Sequence, residues 1–182
     1  MDHFFIDEQG VLVEYMPKDY EEDMYVVVPN GVKVISEKAF QYFSRLKSIT
    51  LPDTVEEIEM GAFFECTNLN TINIPESVKN IGDEAFARCY ALADIEGFIL
   101  VNDVIYGFVG NKEEIIVPQH VTRISARAFS QRQCINKVVL PEGLLSIGEE
   151  AFYACSNLQE INKPASLKEI GDYAFEGTKL NG

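Results

Sequence analysis

The 182-residue sequence contains no tryptophan, two histidines and four cysteines. Four cysteines are too few to staple a small disulfide scaffold. Basic residues are scarce, 15 against 29 acids, which leaves a formal net charge of −14. Binding a phosphate backbone or an anionic leaflet needs clustered lysine and arginine, so nucleic acid is excluded as a partner. No run of 18 apolar residues occurs, so no membrane insertion is expected. The start, Met1-Asp2-His3-Phe4-Phe5, lacks the basic and apolar regions of a signal peptide. There is no Gly-x-Ser-x-Gly elbow, Walker loop, dinucleotide fingerprint, Cys-x-x-Cys pair or Asp-x-Asp-x-Asp-Gly loop. No enzyme activity, cofactor or metal is therefore expected.

What is present is a repeat. Six of the seven prolines stand at 29, 52, 75, 118, 141 and 164, separated by 23, 23, 43, 23 and 23 residues. Ala-Phe recurs in step at 39–40, 62–63, 85–86, 128–129, 151–152 and 174–175. One unit reads Leu69-x-x-Ile72-x-Ile74-Pro75-x-x-Val78-x-x-Ile81-Gly82-x-x-Ala85-Phe86-x-x-Cys89. The alternation at Ile72-x-Ile74 predicts a short strand with one buried face, stopped by proline, which has no N–H to donate. Gly82 predicts a sharp turn, and Asp83-Glu84-Ala85-Phe86 one short helical or 3-10 turn. A 23-residue unit cannot close a core alone, so the units must stack.

The 43-residue interval carries a strand column at Ile95, between Ile72 and Ile115, then Phe98-Ile99-Leu100-Val101-Asn102-Asp103-Val104-Ile105-Tyr106-Gly107-Phe108. Two β-rich runs around Asn102-Asp103 predict a hairpin. Phe5-Ile6, Gly10-Val11-Leu12-Val13 and Tyr15 match it at an offset of 93. The expected organisation is one continuous solenoid over 1–182. It comprises modules 4–96 and 97–182, each an inserted hairpin unit followed by three Ala-Phe units.

These residues resemble the BspA-type leucine-rich repeats of bacteria and some protists, and the resemblance covers nearly the whole chain. It implies an α/β repeat fold: a right-handed solenoid with a parallel strand ladder, short helical or 3-10 turns and two inserted β-hairpin units. It also implies a non-catalytic binding or adhesion protein, secreted or at the cell surface. The absence of a visible signal peptide leaves a cytoplasmic location as the alternative.

Cys66, Cys89 and Cys155 share one repeat column and are read as core fillers. Adjacent rungs about 5 Å apart would permit a Cys66–Cys89 disulfide, although parallel side chains favour free thiols. His120 is read as an exposed turn residue, and Glu56-Glu57 and Glu149-Glu150 as solvated charge. Residues 1–30 hold eight acids and one base, which suits a polar cap or a patch for a basic partner.

The outward ladder columns are read as Ser48 and Thr50, Thr71 and Asn73, Asp94 and Glu96, Lys137 and Val139, and Glu160 and Asn162. A protein or glycan partner is expected to contact Thr71, Asn73, Asp94, Glu96, Asn102 and Asp103, beside a protruding hairpin. The alternative is a scaffold that associates with itself through its C-terminal rung. There Lys163 occupies an inward position and the rung is expected to fray.

Overall fold

The structure is a computed structural model describing residues 3–20, 22–37 and 39–180. The chain divides into two compact units, Met1–Ala93 and Asp94–Gly182.

In the first unit, strands β1 (His3–Ile6) and β2 (Val11–Met16) pair antiparallel, with Phe4 opposite Tyr15. Three turns follow, each contributing to two parallel ladders. The first ladder is β3 (Met24–Val27), β5 (Leu46–Thr50) and β7 (Thr71–Ile72), with Val26, Ile49 and Ile72 in register. The second is β4 (Val34–Ile35), β6 (Glu57–Ile58) and β8 (Asn80–Ile81), and β2 heads it through Leu12 opposite Ile35.

The second unit repeats the plan. Its hairpin is β9 (Phe98–Val101) and β10 (Val104–Phe108). Its first ladder is β11 (Glu114–Ile116), β13 (Lys137–Val139) and β15 (Glu160–Ile161). Its second is β12 (Arg123–Ile124), β14 (Ser146–Ile147) and β16 (Glu169–Ile170), headed by β10.

Several expectations need correction. The fold is a β-solenoid and not α/β. Among the described residues the one helical element is a three-residue 3-10 turn, Tyr90–Leu92. The hairpins do not stand apart as insertions, because β2 and β10 are integral strands of the second ladders. Ile95 is no strand residue. It lies in a turn and is 99% exposed.

The Ala-Phe segments are not helical because left-handed residues interrupt them, among them Glu84 (φ 55°) and Arg88 (φ 61°). Their backbones instead form a third ladder, of turns rather than strands. Gly61, Phe63 and Glu65 donate N–H to the carbonyls of Asp83, Ala85 and Ala87 one turn on, at 2.9–3.0 Å. Arg127, Phe129 and Gln131 do the same to Glu149, Ala151 and Tyr153. Gly82 serves close approach and not a special turn: a Cβ there would lie 2.4 Å from the Met60 nitrogen.

Inside, the phenylalanines stack like coins. Phe40, Phe63 and Phe86 have centroids 5.3 and 5.2 Å apart, with rings within 9° of parallel. Phe129, Phe152 and Phe175 follow at 4.9 and 5.4 Å. Each pair adds roughly 0.5–1.5 kcal/mol beyond area burial. All are fully buried except Phe175, half-buried at the last turn. The cysteines fill gaps and also satisfy backbone: Cys66, Cys89 and Cys155 donate S–H to the carbonyls of Phe40, Phe63 and Phe129 at 2.9–3.0 Å. All four cysteines are free thiols.

Candidate functional site

The outward faces of the two first ladders carry different chemistry. In the first unit the register places Tyr25, Ser48 and Thr71 in one row, with Val27 beside Thr50. None of these side chains is charged. Tyr25 is 71% exposed and Val27 68%. Tyr25 faces outward because Met24 and Val26, its neighbours in an alternating strand, are buried.

In the second unit the corresponding row is Glu114, Lys137 and Glu160. Lys137 Nζ lies 3.0 Å from Glu114. That carboxylate, helped by Glu160, raises the lysine above its ordinary pKa and holds it protonated. Ile116, 64% exposed, stands in the flanking row with Val139.

Both ladders close their third turn in the same way. The Asn73 side chain accepts from the Leu51 N–H at 2.7 Å and donates to the Leu51 carbonyl at 2.9 Å. Asn162 clasps Leu140 identically, at 2.6 and 2.9 Å. The amide thus replaces the backbone bridge that a longer strand would supply, and Asn73 is already engaged. Thr71 donates to the Asn70 side chain at 2.9 Å and stays exposed.

The other four residues singled out in the sequence lie in the second unit and shape its hairpin. Asp94 Oδ1 accepts the N–H groups of Glu96 and Phe98, both at 2.9 Å, which reverses the chain before β9. This turn is what displaces Ile95 from a strand. Glu96 forms an ion pair with Lys112, and Asp103 accepts from the Thr122 hydroxyl. Asn102 holds the left-handed position of the hairpin turn at φ 54°. The Asp94-Glu96 pair and the Asn102-Asp103 pair sit at opposite ends of β9, so they do not converge. Tyr25 and Val27 were the residues missed. The signal was legible, since they flank the inward Val26 as Ser48 and Thr50 flank Ile49.

Cys89 and Cys155 offer no reactive centre. Burial, above all, pushes Cys155 up to about 11. The hydrogen-bonded Cys66 thiol, with burial, pushes Cys89 further up. A protonated buried thiol is a poor nucleophile and a poor metal ligand. Among the described residues no three His, Cys, Asp or Glu side chains converge as a metal site, and no helix is long and apolar enough to cross a membrane.

Comparisons with known proteins agree with this architecture. A leucine rich cell surface protein of Faecalibacterium prausnitzii shares 28% identity over 84% of this chain and 45% of its own, with a TM-score of 0.53. A leucine-rich repeat protein of Bacteroides ovatus shares 26% over 99% of this chain and 56% of its own, at 0.56. The chain thus spans about half the length of these two relatives. A T. pallidum leucine rich repeat protein shares 26% over 98% of this chain and 87% of its own, at 0.59. No functionally curated protein matches. The model of the BspA type leucine rich repeat region, six copies long, matches residues 22–104 and again 100–182, and to that family the chain belongs.

Proposed function

We propose that the chain is a non-catalytic interaction module of the cell-surface adhesion type, and that the first-ladder face of its first unit receives a protein or glycan partner. The observation that carries this reading is the row Tyr25, Ser48 and Thr71: uncharged throughout, with Tyr25 and Thr71 exposed and Ser48 half-buried between them, in a chain of net charge −14. A tyrosine ring supplies contact area at small entropic cost, and adjacent hydroxyls both donate and accept hydrogen bonds. Together they suit a neutral, hydroxyl- or amide-rich surface. The cell-surface part of the proposal draws on the F. prausnitzii relative. The proposal keeps Thr71 and the exposed edge of Asn73, adds Tyr25, Val27, Ser48 and Thr50, and gives Asp94, Glu96, Asn102 and Asp103 a folding role.

The test is a panel of neutral glycans, charged glycans and extracellular proteins offered to the immobilised chain. A ligand of this face loses at least tenfold in affinity with Tyr25→Ala or Thr71→Lys and keeps it with Lys137→Ala. Binding that is insensitive to both first-unit changes defeats the proposal.

A further inference from the structure

Each repeat passes from its first ladder to its second through a corner that begins with proline, and five of the six corners close in one way. The N–H groups of Val55, Val78, Val121, Leu144 and Leu167 donate to the carbonyls of Pro52, Pro75, Pro118, Pro141 and Pro164, at 3.0–3.2 Å. The remaining corner, Pro29-Asn30-Gly31-Val32, has no such bond. Its backbone differs as well. Gly31 has a φ of 97°, in the left-handed region, whereas Thr54, Ser77, His120, Gly143 and Ser166, at the same position of the other corners, are not left-handed.

This corner also carries an Asn-Gly pair, the one such pair among the described residues. Asn30 and Gly31 are both exposed, and a Cβ placed on Gly31 would meet nothing within 4 Å. The Gly31 N–H donates to Thr54 Oγ1 at 3.1 Å. That hydroxyl donates in turn to the Val32 carbonyl at 2.7 Å. The Asn30 carboxamide is therefore followed by a backbone nitrogen that has no side chain to shield it and no packed neighbour around it. What holds that nitrogen is one hydroxyl of the next repeat.

We infer that Asn30 is a site of self-modification, paced by the Thr54 hydroxyl, at which the side-chain amide is exchanged for a carboxylate through a cyclic imide. The Gly31 nitrogen gives its proton to water and attacks Asn30 Cγ. The new N–C bond closes a ring, the Cγ–Nδ2 bond breaks, and ammonia leaves with a proton taken back from water. A water molecule then opens the ring at either carbonyl. One opening gives aspartate; the other gives isoaspartate, whose main chain runs through the side-chain carbon. An acid suits the position, which Asp53, Glu76 and Glu142 fill in other corners. Isoaspartate lengthens by a methylene the link from β3 in the first ladder to β4 in the second, at this turn alone. The inference is independent of the ladder-face reading, because the reaction needs no ligand.

Storage of the purified chain in mildly alkaline buffer tests this, because the ring closes from the deprotonated nitrogen. Peptide mapping by mass spectrometry should resolve the Asn30 peptide into aspartate and isoaspartate forms, the second a substrate for protein isoaspartyl methyltransferase. The same map separates this site from Asn181-Gly182. Asn30→Gln places the amide one methylene further from the nitrogen and should slow conversion at least about tenfold. Thr54→Val frees the Gly31 N–H and should speed it about fivefold, the worth of one hydrogen bond. Both changes are at the surface of a corner and should keep the wild-type circular dichroism. An Asn30 that keeps its amide in the folded chain while converting in urea overturns the inference. A rate that Thr54→Val leaves unmoved overturns the pacing.

Discussion

The two units are built on one plan and present different surfaces. The first shows solvent an uncharged row, Tyr25-Ser48-Thr71, and an open apolar hairpin. The second shows the ion-paired row Glu114-Lys137-Glu160 and a hairpin buried on both faces. What is common to the units holds the fold: the phenylalanine stack, the thiol-to-carbonyl bonds, the asparagine clasp. What differs lies in the outward columns, where substitution costs little stability. Function in such a repeat is to be sought in the differences between units and not in the motif they share.

The sharpest way to break the common part is to empty the stack. Phe63→Ala and Phe152→Ala occupy the middle of the two stacks and should each cost about 3–5 kcal/mol in denaturant unfolding. Phe175→Ala should cost distinctly less, because that ring is half-buried. Equal losses at all three would refute the layered core.

Next come the clasps. Asn73→Ala and Asn162→Ala each leave a leucine N–H and carbonyl without partners, for an expected loss of about 1–3 kcal/mol. Matched losses would show that the two units close their ladders by the same device, while a loss at one position only would separate them.

A smaller effect depends on pH. Cys89 and Cys155 have folded-state pKa values raised above the ordinary 9.0, Cys155 to about 11. Their contribution to stability is full below about pH 9 and is lost as pH rises through the folded values. Urea midpoints should therefore be level from pH 7 to about 8.5 and fall toward pH 11. With both cysteines replaced by alanine the fall should be shallower, and an unchanged slope would remove the thiols from the account.

The smallest effect belongs to the surface rows. Glu114→Gln breaks an exposed ion pair and should leave the melting temperature essentially unmoved. Tyr25→Ala should likewise be silent in stability while abolishing ligand capture. A stability loss with Tyr25→Ala would make that ring a structural element and not a contact surface.

The sequence displayed the ladder and the stack because their residues recur every 23 positions with their chemistry intact, as Val26, Ile49 and Ile72 or Phe40, Phe63 and Phe86 do. It concealed the second ladder because strands of two residues, such as Val34–Ile35, are too short to show alternation. Ile95 misled for a physical reason: its spacing is right, but Asp94 captures the following N–H groups and turns the chain. Asn73 has a second role that the sequence did not show. An exposed amide in an outward column gives no sign in the sequence of the backbone partner it holds on the neighbouring turn. The Ala-Phe segment looked helical from composition, and only the left-handed residues around it, from Tyr42 to Tyr173, reveal a different backbone.

That backbone has an electrical consequence. In the turns at Gly61, Phe63 and Glu65, at Arg127, Phe129 and Gln131, and at Glu150, Phe152 and Ala154, three alternate N–H groups aim toward the following turn, and the carbonyls they meet aim back. Ordinary strands alternate these directions and their peptide dipoles largely cancel; here they add, as in a helix. Each unit thus carries a built-in field along its stacking direction, with partial positive charge at the later turns and partial negative charge at the earlier ones. Duplicating a 23-residue turn lengthens this vector without reversing it, so a repeat array of this kind can grow by whole turns and keep one electrostatic polarity throughout.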